Sequence, residues 1–280
     1  MIAIDWGTTS FRAYRLDREG NVVDARSSGK GIMATPPGPN VLEDEIGDWL
    51  DHGPVVMSGM VGSRQGWVEA PYVPCPAGFS EIASFLKEVR WKNHRAWIVP
   101  GVSCRDAAGV PDVMRGEETQ ILGCGVDGTI CLPGTHSKWV EVRGGRIERF
   151  STAMTGEVYA VLKQHSILGR MMEEGAADPD AFAQGVRRSG DDGGLLHHLF
   201  GVRTRGLMGE LAPAASASYL SGILIGHELR SRATKEVLLL GAAALTTLYA
   251  QGAALLGVAT RTLDADAAVR CLFRLASSRA

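Results

Sequence analysis

The chain has 280 residues, of which 45% are apolar, and its 29 basic and 31 acidic side chains leave a formal net charge of −2. That balance offers no basic face for nucleic acid or an anionic membrane, and a chain of this length can bury a large core and is expected to form two domains. Its longest apolar stretches are broken by Gly, Thr or charge, which predicts neither signal peptide nor transmembrane span, and its five cysteines lack Cys-x-x-Cys spacing and read as free thiols of a reducing cytoplasm.

Met1-Ile2-Ala3-Ile4 is a short apolar run with strand character, and Ser10-Phe11-Arg12-Ala13-Tyr14-Arg15-Leu16 alternates polar with apolar residues. Asp5-Trp6-Gly7-Thr8-Thr9-Ser10 lies between them as a tight turn, and a further turn over 17–21 leads into a third strand. Glycine lets a backbone approach an anion, successive N–H groups can point into the concavity, and Thr hydroxyls add donors. Asp5 then stands where it can hold the Mg²⁺ that accompanies polyphosphate, directly or through water. Taken alone, the turn is equally well an ordinary Gly/Thr hairpin.

A Gly/Pro loop over 29–39 and a helix over 41–50 precede Pro54-Val55-Val56-Met57, a buried strand. This strand delivers Ser58-Gly59-Met60-Val61-Gly62-Ser63-Arg64-Gln65-Gly66-Trp67 at its end, where ligands bind in open α/β sheets. Arg64 can meet a carboxylate, while Ser58, Gln65 and backbone groups suit a polyol; the alternative is a flexible glycine loop with a surface arginine. Residues 72–76 read as extended, 80–89 as a helix with Ser80 as N-cap, 95–100 as a strand and 101–111 as a loop. A helix is then expected to open at Asp112 and to carry Arg115, Glu117 and Glu118. One carboxylate can serve as general base while Arg115 binds an acidic substrate, although acidic residues in a first turn also simply suit the helix dipole.

Gly134-Thr135-His136-Ser137 repeats the first turn between two further strands, with Gly7, Thr8 and Ser10 falling on Gly134, Thr135 and Ser137. Matched strand context points to an internal duplication, and two such turns facing each other can grip a phosphate tail. A helix is expected from Glu157 to about Leu168, a polar connection with a short helix over 178–194, and a helix over 216–232 whose Ser221, Gly222 and Gly226 allow close packing. The strand Glu236-Val237-Leu238-Leu239-Leu240 ends in Gly241-Ala242, small enough to lie against a flat adenine. An amphipathic helix is expected from 265 to the C-terminus. Gly123-Cys124-Gly125-Val126-Asp127-Gly128 matches a dinucleotide pattern but follows a helix, so it reads as a helix stop.

The duplicated strand–turn–strand units and Leu239-Leu240-Gly241-Ala242 resemble the phosphate and adenosine elements of the actin, sugar kinase and Hsp70 superfamily. More narrowly, Met114-Arg115-Gly116-Glu117-Glu118-Thr119-Gln120, Leu132-Pro133-Gly134-Thr135-His136-Ser137-Lys138-Trp139 and Met154-Thr155-Gly156-Glu157 resemble the 2-dehydro-3-deoxygalactonokinase family. The resemblance implies an α/β fold of two ribonuclease H-like (actin-like ATPase) domains, 1–122 and 123–280, with a cleft between them. It also implies an ATP- and Mg²⁺-dependent cytoplasmic kinase that phosphorylates a small sugar acid, 2-dehydro-3-deoxy-D-galactonate, in galactonate catabolism. Carried over by position, Gly7, Thr8, Thr9, Gly134, Thr135 and His136 would line the phosphates, and Gly241 and Ala242 the adenosine. Glu118 would be the base, with Glu117 next and Asp112 third; Ser58, Arg64, Gln65 and Arg115 would hold the sugar acid. Leu132 replaces the acid that usually begins the superfamily's second turn, so metal binding falls to Asp5 and water. The alternative is a hydrolase of polyphosphate or guanosine pentaphosphate in the same superfamily. Epimer preference and oligomeric state, a homodimer included, stay open.

Overall fold

The structure, a computed structural model, describes residues 1–232, 234–264 and 267–279. In chain order the first elements are β1 (Ile2–Trp6), β2 (Phe11–Leu16), β3 (Val22–Ser28), α1 (Pro39–Ile46), β4 (Val55–Gly59), β5 (Tyr72–Pro74), β6 (Ala77–Gly78) and α2 (Phe79–Ser84). There follow β7 (Lys87–Trp91), β8 (His94–Ile98), β9 (Gly101–Arg105), β10 (Pro111–Met114), α3 (Glu117–Cys124), β11 (Gly128–Leu132), β12 (Ser137–Arg143) and β13 (Arg146–Ala153). The remainder is α4 (Thr155–His165), α5 (Pro179–Arg188), α6 (Gly194–Leu207), α7 (Ser216–Arg230), β14 (Glu236–Leu239), α8 (Ala243–Leu255), β15 (Ala259–Thr262) and α9 (Ala267–Ser277). Among the described residues no helix is long and apolar enough to cross a membrane.

The chain divides into two compact units. Unit 1 comprises Met1–Gly128, Val140–Ser151 and Asp264–Ala280; unit 2 comprises Thr129–Trp139 and Thr152–Leu263. The division therefore crosses the chain several times, where the sequence suggested a single boundary at 122/123.

Unit 1 is built on a sheet of order β3-β2-β1-β4-β8-β7. β1 runs antiparallel to β2 and parallel to β4, and β4 runs parallel to β8. Ile2, Ile4, Val56, Met57 and Ile98 are fully buried. A central strand covered on both faces needs a continuous apolar run, which is how β1 and β4 read. α9 packs on α3, β1 and β4. Its approach to α3 requires Gly123, where an added Cβ would lie 1.8 Å from the Ala267 carbonyl oxygen. The Gly125 backbone at φ 64° stops α3, as the sequence suggests.

In unit 2, β11 runs parallel to β14 and β14 parallel to β15. The order β13-β12-β11-β14-β15 repeats the order β3-β2-β1-β4-β8. The three-residue repeat between the two turns is therefore the visible part of a repeated strand plan. α5 lies tight against α7: a Cβ at Gly185 would come 2.2 Å from the Tyr219 carbonyl oxygen, and one at Gly222 would come 2.1 Å from that of Phe182.

Several local expectations change. The helix expected over 80–89 is only α2, started by Gly78, whose amide donates to Glu81 Oε2. Lys87-Glu88-Val89-Arg90-Trp91 alternates instead and pairs with β8 as an antiparallel hairpin. The expected loop at 101–111 and the helix start at Asp112 are replaced by the β9–β10 hairpin, in which Asp112 lies opposite Cys104. The helix begins only at Glu117, after Gly116 at φ 107°. Residues 265 and 266, where the closing helix was expected to begin, lie outside the described residues.

Candidate active site

In unit 1 the first turn is closed by the Gly7 amide donating to the Ser10 carbonyl at 2.9 Å, with Thr8 and Thr9 exposed. The segment behind it is sewn on by the amides of Ile32 and Met33, which donate to the carbonyls of Gly7 and Thr8. A Cβ at Gly31 would stand 2.4 Å from the Thr8 carbonyl oxygen, so only glycine lets this strap lie against the turn. The sequence reading did not single out Gly31; the signal was its place in a glycine-rich loop after β3.

Asp5 precedes that turn, and the β1–β4 register sets it beside Ser58. Burial pushes its carboxyl upward, and Arg12, whose Nη1 lies 3.5 Å from Asp5 Oδ2, partly offsets this. Gly59, at φ 93°, leaves the carboxylate room: a Cβ there would be 3.3 Å from Asp5 Oδ1 and 2.7 Å from the Trp6 carbonyl oxygen. Gly116 approaches in turn, its added Cβ falling 3.3 Å from the Gly59 Cα. Glycines at 59 and 116 thus allow the start of α3 to reach the ends of β1 and β4.

Glu118 lies fully buried at that start. Its Oε2 accepts from the Gly116 amide at 2.6 Å, and its Oε1 lies 3.5 Å from the Ser58 hydroxyl, which also meets Thr119 Oγ1 at 3.3 Å. Burial first, and the Glu117 charge second, push the Glu118 carboxyl up to about 8. Glu117 is only partly buried, and its Oε2 accepts from the Arg115 amide at 3.1 Å. Both acids therefore interact with the positive end of α3 as helix physics favours, but only Glu117 keeps a face toward solvent.

Arg115 is 8% exposed, stacks over Tyr72 and donates from Nη2 to the Ala70 carbonyl at 2.8 Å. Among the described residues its Nε and Nη1 are buried without a hydrogen-bond partner, as is the Ser63 hydroxyl. Orphaned buried donors of this kind call for an explanation, and a ligand supplies one. Ser63 was not singled out from the sequence, although it stands in the same glycine-rich segment. Arg64 and Gln65 are exposed on that segment, and Asp112 sits on β10 away from the start of the helix. Asp5, Ser58, Arg115, Glu117 and Glu118 thus share one neighbourhood, linked through the β1–β4 register and the start of α3, whereas the structure places Asp112 on another strand.

Unit 2 holds the second turn. Gly134 is half-buried, Thr135 and His136 are exposed, and His136 Nε2 pairs with Glu157 Oε2. The Glu157 amide donates to the Thr135 carbonyl at 3.0 Å, and a Cβ at Gly156 would lie 2.4 Å from the Gly134 carbonyl oxygen. Gly156 thus backs the second turn as Gly31 backs the first. Gly241, at φ 139°, lies near Pro133, and Ala242 starts α8. The next residues, Ala243 and Ala244, line a cavity of about 810 Å³, with Tyr159 and Lys163 of α4, Ser218 and Ser221 of α7 and Thr247 of α8 among its walls. That volume suits a nucleotide-sized ligand.

A repeated β-meander-plus-parallel plan, with a glycine–hydroxyl turn after the first strand of each copy, defines an actin-like ATPase fold of the sugar-kinase type. The chain belongs to the 2-keto-3-deoxy-galactonokinase family, whose model matches residues 5–275. It is 38% identical to "Probable 2-dehydro-3-deoxygalactonokinase DgoK1" of Rhizobium meliloti (strain 1021), across 96% of this chain and 93% of that one. It is 35% identical to 2-dehydro-3-deoxygalactonokinase of Escherichia coli (strain K12), across 98% and 96%. A crystal structure described as "a putative 2-dehydro-3-deoxygalactonokinase protein from Sinorhizobium meliloti" superposes with a TM-score of 0.86 at 35% identity, covering 99% of this chain and 98% of that one.

Proposed function

We propose that this chain is a cytoplasmic kinase that transfers the γ-phosphoryl group of ATP to the 6-hydroxyl of 2-dehydro-3-deoxy-D-galactonate in galactonate catabolism. The observation that carries this reading is the family match over residues 5–275, joined to relatives aligned over more than nine-tenths of their length that bear this activity's name. Unit 2 supplies the nucleotide side: the cavity beside Gly241 and Ala242 takes the base and ribose, and Gly134, Thr135 and His136 meet the phosphates. Unit 1 carries its own glycine–hydroxyl turn, Gly7, Thr8 and Thr9, as a phosphate-binding element, and the groups assigned to the sugar acid.

Arg115 is assigned to the substrate carboxylate because two of its buried nitrogens lack partners among the described residues. Ser63 joins it, while Arg64 and Gln65 are free to bind the sugar chain. Glu118 is the base suggested first by the sequence, but a base must come within hydrogen-bond reach of the hydroxyl it deprotonates, and Glu118 has no exposed surface. We therefore assign the proton to Glu117, with Glu118 and Ser58 positioning the start of α3 behind it. Asp5, a single partly exposed carboxylate with glycine space around it, fits a magnesium ion that keeps most of its waters. When bound, Mg²⁺ would neutralise charge on the phosphate oxygens. Otherwise the residues catalyse by positioning and by charge stabilisation.

The test is coupled ADP release from Mg·ATP with 2-dehydro-3-deoxy-D-galactonate, with its gluconate epimer and with no sugar acid. Release that depends on the galactonate compound supports the kinase. Equal turnover without any sugar acid would overturn it in favour of a phosphohydrolase.

A further inference from the structure

Unit 2 contains a second cavity, of about 470 Å³, lined by Arg187 and Arg188 of α5, Thr204 and Arg205 of α6 and Tyr219 of α7. Its walls are built with cations. Arg205 stacks on the Tyr219 ring at 4.9 Å, donates to Gln184 Oε1 at 2.9 Å and has Glu210 at 3.7 Å. Arg188 pairs with Asp191 at 2.9 Å. Arg187 is exposed, and its guanidinium has no hydrogen bond or ion pair among the described residues.

The floor carries a second, independent observation. Tyr219 is 2% exposed and lines the cavity, and its hydroxyl makes no hydrogen bond among the described residues. Gly201 leaves that hydroxyl uncovered, since even an added Cβ would stand 3.9 Å from it. A hydroxyl without a protein partner therefore stands at a cavity rimmed by three arginines and one aspartate.

We infer that this cavity is an anion site for a small phosphate- or carboxylate-bearing metabolite, held by Arg187 and Arg205 with the Tyr219 hydroxyl as neutral donor. It is separate from the nucleotide cavity but shares its helices: α7 turns Ser218 and Ser221 toward the one and Tyr219 toward the other, while α5 gives Phe182 to the first and Arg187 to the second.

The experiment titrates the full chain, loaded with Mg²⁺ and a non-hydrolysable ATP analogue, with inorganic phosphate and separately with a hexose 6-phosphate at constant ionic strength. Arginine Nε–H NMR signals locate the binding, so its reading does not depend on the kinase assignment. Saturable shifts at Arg187 and Arg205 are expected. Arg187→Gln and Tyr219→Phe should each weaken binding by about 10-fold without changing the Tm of the ligand-free protein. Tighter binding of the sugar phosphate supports an organic metabolite, and equal affinities support the inorganic anion. No saturable shift with either probe, or unchanged affinity in both variants, would overturn the site.

Discussion

The amide of Gly116 donates to Oε2 of Glu118 at 2.6 Å, so the second acid of α3 closes back on the glycine that begins its own helix. Its carboxyl, raised to about 8 by burial and by Glu117, keeps a proton in the folded chain that the unfolded chain releases near pH 4.3. The stability this proton supports is present below about pH 4.3 and is lost as pH rises toward about 8. Glu118→Gln keeps an acceptor for Gly116 and removes the titration. The variant should therefore gain stability relative to the parent between pH 5 and 8, by an amount of up to about 5 kcal/mol. Denaturant midpoints for both proteins at the two pH values check this; parallel pH profiles would show that Glu118 ionises normally.

Glu117→Gln should lower kcat by about 10²–10⁴-fold with little change in either KM. Asp112→Asn, on β10, should leave kcat within about 3-fold, as surface changes away from a site usually do. Steady-state kinetics with the sugar acid decide between them. A larger kcat loss in Glu118→Gln than in Glu117→Gln, with both proteins folded, would return the base to Glu118.

Gly31→Ala and Gly156→Ala each drive a Cβ to 2.4 Å from a carbonyl oxygen of a phosphate turn, Thr8 in one case and Gly134 in the other. Backbone must move to relieve such contacts. Each variant should raise KM for ATP by about 10-fold or more and leave KM for the sugar acid nearly unchanged, a difference of about 1.4 kcal/mol in nucleotide binding. Initial rates with each substrate varied in turn provide the check, and an unchanged KM for ATP in both variants would remove the turns from the nucleotide site.

Within unit 2, Tyr249 donates to Glu228 Oε2 at 2.6 Å, Trp139 Nε1 donates to Oε1 of the same carboxylate at 2.6 Å, and Ser137 meets the Tyr249 hydroxyl at 2.9 Å. Tyr249→Phe leaves a buried carboxylate oxygen and the Ser137 hydroxyl short of a partner, costing about 1–3 kcal/mol. Thermal unfolding should show the loss, while kcat per folded molecule stays within about 2-fold.

Both turns were legible because a short apolar run that reads as a buried strand leads into each glycine and strand-like sequence follows it. β14, with its terminal glycine, was legible for the same reason. Residues 101–114 were not: strands of four or five residues beside glycine and proline look like loop, and only their mutual pairing makes them a hairpin. That error moved Asp112 onto a helix it does not join. Glu117 and Glu118 show a different limit. Neighbours on a helix point about 100° apart, and which of the two faces inward depends on Ser58, Gly59 and α9, none of which is local in sequence.

α9 lies against β1, although more than 260 residues separate the two in the chain. On a ribosome, every residue of unit 2 is synthesised before α9, so the domain begun first is completed last. β1 and β4 must wait with one face uncovered while the later unit closes. α9 thus acts as a checkpoint for unit 1: a protease that removes it would leave an apolar sheet face open to aggregation.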